Sequence, residues 1–337
     1  MNTYELLSSF ENIHDKFILE AKDMENYKKK RSGRSRVKYT LIAAIVAVSL
    51  MIVTAVAAMN YLGMQEITKD TPYEVPSEAA AYIETQSAQE TTAEGWSCTM
   101  LESLFDAASF TISVGISGGD KYVVVPEDCD PGVDVSAIGL PSGQTLGDYA
   151  AQQGKTLLYV GAGIQDRDKL GIATTTLFYE SQSDSEMTIV ETGQKSTDVS
   201  VTEGICRVSA WVDGQKDVTR VELPFTVKEA AGDVLVYKPE GANEVAGIRT
   251  DSFRVYQSPA GNSIVFDQEV PEGFPEALKR MDIDGISYSE GGWMENEEGK
   301  PECKWSNVKG TFGDTLTLRF IDWDNEVMGS VTFRLQK

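Results

Sequence analysis

The chain predicts a mainly β ectodomain of two antiparallel sandwiches, attached to one transmembrane α-helix and a short N-terminal amphipathic helix. Three observations predict this. Residues 41–59, LIAAIVAVSLMIVTAVAAM, carry no charged side chain. Beyond Gly95 the apolar residues recur with a period of two, as in a strand, whereas before Tyr27 they recur every three or four residues, as on one face of a helix.

The N-terminal segment, residues 1–38, places Leu6, Phe10, Ile13, Phe17, Ala21 and Met24 on one helical stripe, with Glu5, Glu11, Asp15, Lys16, Glu20 and Lys22 opposite. A helix this short cannot bury that stripe by itself. Leu6, Phe10, Ile13, Phe17 and Ala21 are therefore the expected partner-binding residues, docking on a cytoplasmic protein or lying on the inner leaflet. Lys28, Lys29, Lys30, Arg31, Arg34, Arg36 and Lys38 follow, directly before the apolar run.

As a helix, residues 41–59 would extend about 28 Å, close to the thickness of a bilayer core. The basic residues on its N-terminal side, against Glu66, Lys69 and Asp70 beyond it, place the N-terminus in the cytoplasm and the C-terminus outside. The expectation is a single pass through the cell membrane over residues 39–62. Ala55-Val56-Ala57 could pass for a signal-peptide cleavage site. The long leader before it and the length of the apolar run argue for an anchor instead.

Residues 63–95, rich in Thr, Glu, Ala, Ser and Pro, read as an extended acidic stalk outside the membrane. Strand pairs follow. Phe110, Ile112, Val114 and Ile116 alternate with small or polar residues, and Ser117-Gly118-Gly119-Asp120 then turns the chain into Tyr122–Val125. The run Cys206–Val212 returns through Asp213-Gly214 into Val221, Leu223, Phe225 and Val227. Likewise Phe253–Tyr256 returns through residues 259–262 into Ile264–Phe266, and Leu316–Phe320 returns through residues 322–325 into Val331–Leu335. A series of such hairpins predicts sandwiches, and the length suits two, spanning 96–231 and 232–337. Two helical connections interrupt them: Thr145–Gln153, with Thr145 as N-cap and Gly154 as stop, and Pro275–Met281.

The 337 residues carry a formal charge of −22, and beyond residue 40 there are 21 basic against 46 acidic side chains. So acidic a surface argues against nucleic acid as partner. Cys98, Cys129, Cys206 and Cys303 all fall on the predicted outer side, where disulfides can form, and the spacing leaves the three pairings open. Small buried hydrophobes are the alternative for some of them. The single histidine, His14, lies in the cytoplasmic segment, so the outer part lacks a histidine for a nucleophile pair or a typical zinc site. Asp282-Ile283-Asp284-Gly285 and Asp322–Glu326 read as acidic turns, since neither matches a twelve-residue calcium loop. The tryptophans read as packing residues more than as a sugar platform. No catalytic residue, cofactor or metal is expected, and the chain does not read as an enzyme.

The opening YELLSSFENIHDKFILEA, then a basic block, one span and a β part, resembles the single-pass anti-sigma-like negative effectors of extracytoplasmic-function sigma factors in Gram-positive bacteria. Ile13, Asp15, Lys16, Phe17, Ile18, Glu20 and Ala21 carry the likeness, which covers about the first fifth of the chain. The resemblance implies an immunoglobulin-like ectodomain that senses an extracellular ligand, and a cytoplasmic sigma factor as partner of the N-terminal helix. It does not extend to a zinc-binding anti-sigma domain, because the cytoplasmic segment has His14 and no cysteine. The alternative is a surface-displayed binding or wall-associated protein whose N-terminus is only an anchor.

Overall fold

Alternating apolar residues do form strands, and the computed structural model describes them over residues 63–270, 278–288, 290–295 and 301–336. All belong to the compact unit Tyr61–Lys337. The apolar run, the basic block and the stripe Leu6, Phe10, Ile13, Phe17 and Ala21 lie outside the described residues. Among the described residues no helix is long and apolar enough to cross a membrane.

The first β part contains β1 (Glu84–Thr85), β2 (Gln89–Thr91), β3 (Ser97–Phe105), β4 (Ser109–Ser117), β5 (Tyr122–Pro126), β6 (Thr156–Ile164), β7 (Ile172–Ser181), β8 (Glu186–Lys195), β9 (Glu203–Val212) and β10 (Thr219–Thr226). One sheet runs β1-β3-β4-β8-β7, with β2 also on β3, and the other runs β10-β9-β6-β5. Inward residues of both sheets, among them Cys98, Ile112, Val114 and Ile189 from one and Leu158, Val160, Val208 and Leu223 from the other, share one core. The layout is that of a sandwich.

The expected hairpin from β4 into β5 does not form. The Ser117–Asp120 turn carries the chain across to the second sheet, where β5 pairs in parallel with β6. A parallel pair cannot be joined by a tight turn, and residues 127–155 supply the crossover. The crossover holds the predicted helix, Leu146–Gln153, with the Thr145 hydroxyl accepting from the Asp148 N–H and Gly154 left-handed at the end. Asp134 braces the loop before that helix. Its carboxylate accepts the N–H groups of Ser136 at 2.9 Å and Gly143 at 3.0 Å, which hold its pKa down to about 2. Helix and loop cover the outer face of β5 and β6 through Val123, Val125, Ile138, Leu146 and Leu157.

Residues 63–95 are not an extended stalk. Met64 and Ala79 are fully buried and pack with Val75 on Leu104 and Val190, the outer face of the first sheet. The Met64 N–H donates to the Glu102 carboxylate at 2.7 Å, and residues 84–91 pair along β3. The few apolar residues of this acidic segment are spaced to reach one sheet face, which an averaged composition conceals.

The second β part comprises β11 (Asp233–Pro239), β12 (Glu244–Val245), β13 (Ile248–Ser258), β14 (Gly261–Glu269), β15 (Leu278–Ile283), β16 (Ile286–Ser287), β17 (Glu290–Glu295), β18 (Pro301–Ser306), β19 (Lys309–Gly310), β20 (Thr315–Asp322) and β21 (Val327–Leu335). Here the expectation of two facing sheets gives way to one antiparallel sheet, β15-β20-β21-β11-β13-β14-β18-β17, with β12 on β13, beside the small pair β16 and β19. Leu278 and Met281 near one edge share a core with Cys303 and Trp305 near the other, so the sheet curls upon itself. Bulges between Thr250 and Ser252, Leu278 and Arg280, and Phe320 and Ile321 supply the added twist. The helix expected over Pro275–Met281 is strand from Leu278 onward, and 271–277 lie outside the described residues.

A buried polar seam joins the two β parts. Lys195 and Lys304 are each 1% exposed. Lys304 Nζ donates to the Ala108 carbonyl at 2.7 Å and to the Lys195 carbonyl, while Lys195 Nζ donates to Ala107 and Val199 carbonyls and pairs with Glu229 at 3.0 Å. Asp106 accepts from its own turn and from the Ser258 hydroxyl at 2.8 Å. Replacing Lys304 by Met would remove a donor from the buried Lys195 carbonyl, at about 1–3 kcal/mol, while the Ala108 carbonyl keeps the Lys195 N–H at 3.0 Å. The expected result is a lower urea midpoint in the full chain, with the two β parts beginning to unfold separately. An unchanged single transition would show that the seam is not what couples them.

Candidate functional site

A cleft opens at one end of the first sandwich, with a volume of about 800 Å³. Three segments build it. Residues 85–88, between β1 and β2, form one wall; Gln165–Leu170, after β6, form the second; the start of β9 and the end of β10, Glu203–Ile205 and Pro224–Thr226, form the floor. Phe225 lies almost fully buried in the floor because Gly204 opposite it has no side chain; a Cβ there would lie 2.4 Å from the ring. Ile205, one residue on, points to the opposite face of the sheet and is 36% exposed.

Polar groups rim this floor. Gln86 takes the place of a strand neighbour: its side-chain amide donates to the Thr226 carbonyl at 3.0 Å and accepts the Thr226 N–H at 3.1 Å. The Gln165 backbone N–H is tied to the Ile205 carbonyl, but its side-chain Oε1 is buried with no hydrogen-bond partner. Asp166 has a left-handed backbone, φ +54°, and pairs with Lys169 at 2.7 Å.

The second wall is held from inside the sandwich. Glu191 points inward from β8 and is buried. It accepts the Ile164 N–H at 2.7 Å and pairs with Arg167 at 2.6 Å. Burial pushes the Glu191 carboxyl above its ordinary pKa, and Arg167, the Ile164 N–H and the Thr175 hydroxyl only partly oppose that shift. Nearby Tyr179 is raised to about 12, first by burial and then by Glu127. Glu191 is therefore a positioning group for residues 164–170, already committed to its partners.

No disulfide joins Cys98, Cys129 or Cys206, so the expectation of a disulfide gives way to the alternative of small buried side chains. Cys98 and Cys206 sit in the first core and Cys303 in the second. Burial raises the Cys98 thiol to about 12 and lifts Cys206 and Cys129 as well, which makes them poor nucleophiles. The acidic turns are tied into local pairs. Asp282 meets Arg280, Asp284 meets Arg319, and Asp322 accepts the N–H groups of Asp324 and Glu326. Among the described residues no group of three or more His, Cys, Asp or Glu is placed to hold a metal. Trp96 and Trp305 are core residues, and Trp211 stacks on Tyr159.

The expected partner-binding residues, Leu6, Phe10, Ile13, Phe17 and Ala21, lie outside the described residues. The cleft residues themselves were not legible as a site. Gln86, Gln165, Ile205 and Phe225 are far apart in sequence and follow no motif; the one local signal was Gly204 facing a large aromatic across a hairpin.

Two measurements check this geometry. The native state holds Glu191 above its ordinary pKa and the unfolded chain does not, so the stability attached to its proton is present at low pH and lost as pH rises through the raised value. As pH rises from the ordinary Glu range through the raised value, the Glu191→Gln variant should therefore gain stability relative to the parent. Parallel urea midpoints would contradict the buried site. Iodoacetamide should label Cys129 first in the native protein and all four thiols in denaturant; fewer than four would reveal a disulfide.

No known family model matches the chain, and no curated protein is similar to it. Among solved structures, the conserved domain protein from Bacillus anthracis aligns with 78% of this chain and 94% of its own, at 11% identity and a TM-score of 0.42.

Proposed function

We propose that the chain is a membrane-anchored signalling regulator of the anti-sigma type, non-enzymatic, with an extracytoplasmic immunoglobulin-like β part coupled through one span to a cytoplasmic sigma factor. The observation that carries this reading is the packing of the residues just after the apolar run. Only residues 60–62 separate Met59 from Gly63, and Met64 is already buried on the first sheet. A protein displayed passively needs a flexible spacer there. One that transmits a signal is served by a short connection, and only three residues, 60–62, separate the apolar run from the folded segment 63–95.

The sequence supplies the rest of the support: a basic block that orients the span, and a helical stripe on the cytoplasmic side with two Phe residues, Phe10 and Phe17. Acidic residues on the polar face of that helix are repelled by anionic lipid, which favours a protein partner over the leaflet.

The test has two arms. In a Cys129→Ser background, a cysteine at exposed Ser87 should react with impermeant maleimide on intact cells and one at Ser8 should not. The first 38 residues should capture a sigma factor, and joint replacement of Phe10 and Phe17 by Ala should weaken capture at least about tenfold, since each buried Phe contributes about 1.5–3 kcal/mol. Labelling at Ser8, or capture indifferent to the two Phe residues, would overturn the reading.

A further inference from the structure

We infer that the open edge of β7 pairs with β7 of a second copy of this chain, antiparallel about Leu177, so that the two copies share one continuous sheet. The inference goes beyond the proposed function and does not depend on it.

β7 ends the first sheet on one side and pairs only with β8. The hairpin between them fixes which groups point away. The Gln182 N–H donates to the Glu186 carbonyl, so even-numbered residues of β7 face β8, and Thr175, Leu177 and Tyr179 turn their N–H and C=O groups outward. Among the described residues no backbone hydrogen bond reaches these groups. Both faces of the strand are covered: Leu177 and Tyr179 pack on the first core, and the Phe178 ring meets Tyr73 edge-on at 5.6 Å. Yet all three residues stay only partly buried, whereas Glu191, Val190 and Ile189, their partners on β8 between the same layers, are at most 1% exposed. What β7 leaves open is its edge.

The other edges of the first β part are guarded. On β10, Pro224 has no N–H and the Gln86 amide occupies the Thr226 backbone. On β5 the Asp184 carbonyl takes the Val124 N–H, and β3 is covered by β1 and β2, which are two and three residues long. β7 instead runs from Ile172 to Tyr179 without a charge, proline or glycine, and its one bulge lies at the start, between Ile172 and Thr174. Such an edge is a template for another strand.

A second copy fits this edge by symmetry. Antiparallel pairing about Leu177 sets Thr175 opposite Tyr179 and Thr176 opposite Phe178 of the other copy, an aromatic against a β-branched side chain on each face. Glu180 then meets Thr174 and not its own counterpart, and every outward group of Thr175, Leu177 and Tyr179 gains a partner. A strand of foreign sequence would find no charge between Ile172 and Tyr179 to select it.

The experiment uses the full chain in a neutral detergent, with Cys129→Ser as background for cross-linking. In this register residue 177 faces itself at about 5.5 Å between Cα atoms, within reach of a disulfide, while residue 175 lies about 14 Å from its counterpart. Under copper phenanthroline, Leu177→Cys should form a disulfide-linked dimer at least about tenfold faster than Thr175→Cys. Sedimentation of the parent chain should show a dimer that tightens with salt, because Glu127 and Asp128, close to Tyr179, repel those of the other copy. Thr175→Pro, which loses an N–H that faces away from β8, should weaken the dimer about tenfold or more. Equal cross-linking at 177 and 175, a monomer at every salt concentration, or a dimer indifferent to Thr175→Pro would each overturn the inference. If the proline variant does not fold, cross-linking and the mass of the parent chain decide. None of these readouts involves a sigma factor, so the inference and the proposed function stand or fall separately.

Discussion

Two ammonium groups that cannot reach water organise this structure. Burying Lys195 and Lys304 carries a desolvation cost of several kcal/mol each, tolerable only if every charge is surrounded by acceptors. The acceptors come from four places at once: the turn after β3, the 195–199 loop, Glu229 in the link between the two β parts, and the backbone of β8. No one of these segments can move without exposing an unpaired charge or carbonyl. The gain is one of specificity more than of net stability, since an apolar pair of similar volume could fill the same space. The consequence is mechanical, because two separate cores are tied through polar groups that tolerate only one relative placement.

The same logic of commitment extends to the cleft. Glu191 is held away from water by the sandwich and neutralised by Arg167, which lies on the segment that forms a cleft wall. A change in how residues 165–170 lie would pull Arg167 from its carboxylate and leave a buried charge uncompensated. Ligand contacts at the wall are thus connected to the interior of the first sandwich by one short, strong pair. On the opposite sheet, the acidic segment 63–95 closes the outer face and reaches the cleft through residues 85–88. Cover and cleft are consecutive along the chain.

Where the sequence misled, the reason was an average or a connection. Composition over residues 63–95 is that of a stalk, yet Met64, Val75 and Ala79 are the few residues that matter, and a sheet face elsewhere decides their fate. The turn at Ser117–Asp120 looks like a hairpin because its local chemistry is that of a hairpin. Whether the next strand pairs back or crosses to another sheet depends on partners far along the chain, here β6. Nothing local in the sequence signals that a neighbouring β part will bury Lys195 and Lys304.

The sequence by itself determined the strand character of the chain beyond Gly95, the hairpins β9–β10, β13–β14 and β20–β21, and the capped helix Leu146–Gln153. These follow from periodicity, turn residues and caps, whose energetics are complete within a dozen residues. Only the tertiary structure decided the parallel β5–β6 pair, the single curled sheet of the second part, the thiol state of Cys98, Cys129 and Cys206, and the cleft. Each of these depends on groups tens to hundreds of residues apart, which no local pattern brings together.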